Sequence, residues 1–225
     1  MLRENSEESV STRHTILRID MRRKLIRSFM DEVVVESQLS LYINGRLYSI
    51  LSMTPFEIKE LIVGHLMAEG IINKLDEIVE LKIGKRRVYV KLSKEMLMEK
   101  IRIISTECGS GERRIPPRIW MKLKKQRSLI RFASQAVIEA VKNLNSSAET
   151  YRKTGGAHAA ALMDGQGRIL AVTEDISRHS AVDKVIGKAV FQGLDFKEIF
   201  LTSSGRITSD IVIKAANIGL SLIHI

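Results

Sequence analysis

Apolar and polar positions alternate from Asp31 onward: Val33 and Val35, then Leu39, Leu41 and Ile43, and after Asn44-Gly45 again Leu47 and Leu51. A period of two puts one face of a strand against a core. Asn-Gly between two such runs predicts a β-hairpin, because a type I′ turn needs two residues at positive φ. A helix start follows, with Thr54 as its cap, Pro55 at the first helical position and Glu57 closing a capping box. Ile58, Leu61, Ile62 and Leu66 supply one apolar face, and Gly70 a stop. A second hairpin is predicted over 79–92 around Gly84-Lys85, and a short helix over 93–100.

Residues 105–118 break the periodicity with small polar residues, glycines and Pro116-Pro117, the composition of an exposed loop. From Leu129 the period becomes helical through Phe132, Ala133, Ala136, Val137, Ala140, Val141 and Leu144. A polar joint over 145–153 leads to strands at 157–163 and 169–173 around Asp164-Gly165-Gln166-Gly167. A helix over 181–192, a buried strand over 199–202 and a helix opened by Ser209 complete the pattern. Residues 1–30 read as a polar tail with one short apolar patch. The expectation is an α/β (α+β) protein with helices layered on sheet, divided into an N-terminal α+β domain over 31–127 and a second domain over 128–225.

Composition narrows the class. The 225 residues are 44% hydrophobic and 5% aromatic, so the core rests on aliphatic side chains. No apolar run is long enough to cross a bilayer, and residues 1–13 lack the apolar stretch of a secretory signal. The one cysteine, Cys108, forms no intramolecular disulfide and fits a reducing compartment, so the cytoplasm is expected. A formal net charge of +10 favours acidic partners. No zinc-finger spacing or aromatic-interleaved basic stretch accompanies it, which leaves a nucleic-acid module resting on charge alone.

Four segments hold candidate chemistry. Cys108 stands among glycines outside any apolar periodicity, and Arg113 and Arg114 follow closely enough to favour its thiolate. It is either a reactive group or merely an exposed thiol. Gly155 and Gly156, followed by His158, suit close approach to a ligand or a tight turn into a strand. Asp175, Arg178 and His179 lie between a strand end and a helix start, where anions bind. Asp183 and Lys184, one turn further on, suit a solvated helix surface. Ser204, Gly205 and Arg206 repeat the strand-end pattern, so three loops after consecutive strands suggest an anionic, nucleotide-like ligand. The five scattered histidines offer no spaced ligand set for zinc, and His65 reads as structural.

Asn44-Gly45, Thr54-Pro55 and LIVGHLMAEGII (61–72) resemble the N-terminal half of the formate dehydrogenase accessory sulfurtransferase (FdhD) family. TGGAHAAAL (154–162), EDISRHSAVDKVIG (174–187) and TSSGRITSDIVIKA (202–215) resemble its C-terminal half, in the same order. The resemblance covers roughly residues 30–220. It implies a sulfurtransferase that takes persulfide sulfur from a cysteine desulfurase and passes it to the bis-molybdopterin guanine dinucleotide form of the molybdenum cofactor, before that enters the formate dehydrogenase catalytic subunit. Cys108 would carry the persulfide. The guanine dinucleotide end would lie among Gly155, Gly156, His158, Asp175, Arg178, His179, Ser204, Gly205 and Arg206.

The resemblance further implies a homodimer and a cytidine deaminase-like C-terminal domain. Deaminase chemistry lacks its machinery here, since His158-Ala159-Ala160 replaces His-Ala-Glu and the paired zinc cysteines are missing. Two departures stand out. Gly111 occupies the place of the second thiol of the family's Cys-x-x-Cys, which keeps open a maturation chaperone that binds cofactor without moving sulfur. Family members also continue beyond the point where this chain ends, so a C-terminal truncation is expected.

Overall fold

The computed structural model describes residues 9–94, 102–104 and 131–222. It opens on a correction: most of the expected tail is an antiparallel ribbon of β1 (Ser11–Asp20) and β2 (Leu25–Val34). Its register sets Ile16 against Phe29 and Ile19 against Ile26. Apolar residues therefore occupy both faces, which erases the period of two that would announce a strand. The turn contains no glycine. Its shape comes from the Asp20 carboxylate, which accepts the backbone N–H groups of Arg22 and Arg23, and from Lys24 at φ 52°.

A five-stranded sheet follows, in the order β5-β6-β3-β4-β7. Its strands are β3 (Ser37–Ile43), β4 (Arg46–Met53), β5 (Ile78–Ile83), β6 (Arg87–Leu92) and β7 (Arg102–Ile104). The hairpins β3–β4 and β5–β6 stand where the alternation put them, with Asn44 and Gly45 both at positive φ. The Asn44 side chain also accepts the N–H of Leu92, tying the turn to β6. Leu39, Leu41, Leu51, Val88 and Val90 pack against Leu61, Ile62 and Leu66 of α1 (Ile58–Ala68).

The start of α1 corrects the second expectation. Glu57 is its cap residue, at φ 51° and with no side-chain cap, while Thr54 hydrogen-bonds elsewhere. The capping box loses because both side chains find partners in the second half of the chain: Thr54 on Ile176, and Glu57 on Thr173 and Lys188.

The second sheet has the order β11-β10-β8-β9, from β8 (His158–Met163), β9 (Ile169–Asp175), β10 (Phe200–Ser203) and β11 (Ser221–Leu222). It is mixed: β8 runs antiparallel to both β9 and β10, and β10 is parallel to β11. One face packs on α2 (Ser134–Ser147) through Ala159, Ala161, Met163 and Phe200. The other packs on α4 (Arg178–Phe191) and α5 (Ser209–Asn217) through Ala160, Leu162 and Leu201. The joint read as polar contains α3 (Glu149–Thr154), whose first turn is held by the Glu174 carboxylate accepting N–H groups of Thr150 and Tyr151 at 2.7 and 2.8 Å. The architecture is α+β, and none of the described helices is long and apolar enough to cross a membrane.

The two sheets are joined by α1 against α4. A Cβ at Gly64 would lie 1.7 Å from the Asp183 carbonyl oxygen, and one at Gly187 2.0 Å from that of Glu60. Glycine at both positions lets the two backbones touch, so α1 is buried on both sides rather than along one stripe.

Candidate functional site

The turn from β9 into α4 is fixed from below. Asp175, only 1% exposed, accepts the Ser177 N–H at 2.7 Å, the Thr54 N–H at 3.1 Å and the Lys184 ammonium at 2.6 Å. Lys184 also donates to the Thr54 carbonyl at 3.0 Å. The Ile176 N–H reaches the Thr54 hydroxyl at 3.1 Å, and the Ser180 hydroxyl the Ser52 carbonyl at 2.8 Å. The end of β4 therefore clamps the first turn of α4, and with it Arg178 and His179. Asp175 is a support of the site rather than part of its surface.

Because β8 is antiparallel to both neighbours, its first residues lie beside the last residues of β9 and β10. His158 pairs with Asp175, and Ala160 with Ser203. The three candidate loops therefore share one sheet edge, but not as sequence suggested: two follow strands, while the Gly155-Gly156 loop precedes β8. Gly155, at φ 67°, ends α3, and both glycines are exposed. Ser204 extends the pairing of β8 and β10, donating its N–H to the Ala159 carbonyl and accepting the Ala159 N–H on its hydroxyl, each at 2.9 Å.

Gly205 is buried against Arg178, where an added Cβ would come within 2.7 Å of the Arg178 Cβ. Arg206 is exposed beside it. Both arginines act on His158: its imidazole is held below the usual histidine value first by burial, then by the charge of Arg178 and of Arg206. Two guanidinium groups and the N-terminus of a fourteen-residue helix thus meet beside a half-buried imidazole at one edge. His179 is buried, its Nε2 4.0 Å from an Asp210 carboxylate oxygen on α5.

Sequence reasoning placed Asp183 and Lys184 on a solvated surface, and both are buried. Asp183 accepts Lys214 at 2.6 and 2.8 Å and lies 2.8 Å from the His65 Nδ1, while Lys214 also reaches Glu69 at 3.2 Å. Burial alone would raise the Asp183 carboxyl, but the Lys214 charge and the His65 hydrogen bond outweigh it and hold it below the ordinary value. The structural reading of His65 fits this position. No local signal announces such partners, which are separated by up to 149 residues.

Cys108, Arg113 and Arg114, with most of the segment 93–100 expected as helix, lie outside the described residues. Among the described residues no group of three or more His, Cys, Asp or Glu side chains is placed to hold a metal ion. The edge brings the guanidinium groups of Arg178 and Arg206 close enough to act on His158, a grouping of residue types suited to an anionic group.

The FdhD/NarQ family model matches residues 34–224. The sulfur carrier protein FdhD of Bacillus subtilis is 34% identical over 199 residues, 86% of this chain and 76% of that protein. Its namesake in Methanothermobacter thermautotrophicus is 31% identical over 207 residues, 92% of this chain and 80% of that protein. A crystal structure described as a formate dehydrogenase accessory protein from Desulfotalea psychrophila superposes with a TM-score of 0.70 at 21% identity, covering 96% of this chain and 84% of that one. That last likeness speaks for the fold. A family match spanning both sheets, with identity above 30% over most of the chain, is decisive: the chain belongs to the FdhD/NarQ family.

Proposed function

We propose that this protein is a sulfur carrier in the maturation of formate dehydrogenase. Relatives named for sulfur carriage support the role, and the observation that carries the binding half of it is the convergence of segments 155–158 and 205–206 with Arg178 on one sheet edge. In this reading the Cys108 thiolate attacks the terminal sulfur of a desulfurase persulfide. The new S–S bond forms as the old one breaks, and the desulfurase cysteine leaves as a thiolate. The substrate that receives this sulfur is the molybdenum cofactor in its guanine dinucleotide form, which the basic edge holds by its phosphates. Arg178 and Arg206 pair with phosphate oxygens, and exposed Gly155 and Gly156 let the backbone approach closely. The C-terminal layer is read as the deaminase-like half of the family, here without deaminase acid/base residues.

The test is intact mass after incubation with a cysteine desulfurase and cysteine. One added sulfur that reductant removes, absent in Cys108→Ser, is expected. No added sulfur on a folded protein overturns the carrier role. A maturation chaperone that moves no sulfur is the second reading, favoured by Gly111 standing where the family has its second thiol. Normal formate dehydrogenase maturation by Cys108→Ser would establish it.

A further inference from the structure

The β1–β2 ribbon touches the candidate site only at its base, where Val34 meets Gly156, and the family match begins only at residue 34. Residues paired across an antiparallel ribbon share a face, so Leu17, Ile19, Ile26 and Met30 lie on one face, from mid-ribbon toward the turn. Their exposures are 68%, 59%, 68% and 59%, and Met21 at the turn is 82% exposed. A contiguous apolar strip left in water marks an interaction surface. The opposite face sets Arg18 directly against Arg27, between the pairs Ile16 with Phe29 and Asp20 with Leu25, and Arg22, Arg23 and Lys24 crowd the turn. Like charges set opposite each other weaken a ribbon. That arrangement calls for opposite charge from outside.

We infer that this ribbon is a docking arm for the protein that receives the sulfurated cofactor, its apolar flank entering a groove rimmed by Asp and Glu carboxylates. The inference rests on the sulfur-carrier reading. The base of the arm argues for the recipient: β2 packs on α3, and Val34 lies so close to Gly156 that an added Cβ there would come within 2.8 Å of its Cγ1. A partner held along the arm is thereby delivered to the anion-binding edge. A second copy of the chain fits poorly, since joining two arms would double the cationic charge of the turn. A lipid surface would meet the basic turn first, whereas the apolar residues run along a flank that ten residues per strand extend to about 30 Å.

The test measures affinity of the full chain for the purified apo catalytic subunit of formate dehydrogenase, against Leu17→Ser/Ile26→Ser and Arg18→Glu/Arg27→Glu. Each double variant is expected to lose at least about tenfold in affinity, with the salt dependence flattened in the arginine variant. Guanine nucleotide binding, sulfur loading of Cys108 and circular dichroism are expected to stay as in the parent. Unchanged affinity in both variants overturns the proposal, as does a parent that loads sulfur but does not bind the subunit. Dissociation of a dimer by the variants, read by sedimentation, overturns it in favour of a second copy. Arm-dependent binding to phosphatidylglycerol vesicles overturns it in favour of lipid. Failure of the parent to load sulfur strikes the carrier reading instead, and leaves the affinity comparison to decide the arm.

Discussion

Helix α4 passes through two regions that treat charge in opposite ways. Along its seam with α1, the buried charges meet their opposites: Asp175 with Lys184, and Asp183 with Lys214 and His65. Beside its first turn, burial first, and then the charges of Arg178 and Arg206, hold the His158 imidazole below the usual histidine value. The seam has spent its electrostatics on fixing one arrangement of the two sheets. The edge instead gathers two guanidinium groups around one half-buried imidazole, the grouping on which the proposed anion site rests. Neighbouring residues of the same helix thus separate into those buried in the seam and those set at the sheet edge beside His158.

That contrast can be broken most severely at the seam. Asp183→Ala leaves Lys214 buried without its main counter-charge and is expected to cost about 3–5 kcal/mol, read from urea or thermal unfolding. A loss under about 1 kcal/mol would mean that the network does not fix the seam. Gly187→Ala drives a methyl group into the Glu60 carbonyl, with an expected loss of about 1–3 kcal/mol. Because α4 also bears Arg178, nucleotide affinity should fall along with stability. If stability fell and affinity held, the two regions would be independent.

At the edge the order reverses. Arg178→Ala and Arg206→Ala are each expected to weaken binding of a guanine nucleotide by about tenfold or more, measured by calorimetry. The unfolding free energy of exposed Arg206→Ala should stay within about 0.5 kcal/mol of the parent, and Arg178→Ala, which strips packing from Gly205, should lose about 1 kcal/mol. Unchanged affinity in both would remove the phosphate assignment. The smallest effect is a titration. The His158 imidazole should titrate by NMR below the ordinary histidine value, and its pKa should rise when a nucleotide offsets the arginine charges. The sign follows from linkage: the unfolded chain takes up this proton first as pH falls below that ordinary value, so stability declines there. Bound anion should lessen the decline. An unmoved His158 would place the ligand elsewhere.

Local chemistry made much of this legible. Asn44-Gly45 announced its hairpin because positive φ is a property of the turn itself, and the strands at His158 and Ile169 followed from composition. Three loops of the site were recognised by residue type, although their order around β8 required the antiparallel pairing. Two of the failures share one cause, partners distant in sequence. Thr54 and Glu57 form a capping box in sequence, yet partners more than a hundred residues away win them. Asp183 and Lys184 look like a wet helix surface until α1 and α5 cover them. The ribbon escaped because apolar residues on both its faces cancel the pattern that reveals a strand.

The touching backbones at Gly64 and Gly187 bear on how this chain can be recombined. A chimera that took the first sheet and α1 from one relative and the second sheet from another would inherit one half of the contact from each parent. It would also split His65 from Asp183, and Thr54 from Asp175. Successful exchange of halves therefore requires parents that match on both sides of the crossing, whatever their similarity elsewhere. The smaller ribbon lies outside the seam, so its exchange needs a match only where β2 meets α3 and Val34 meets Gly156.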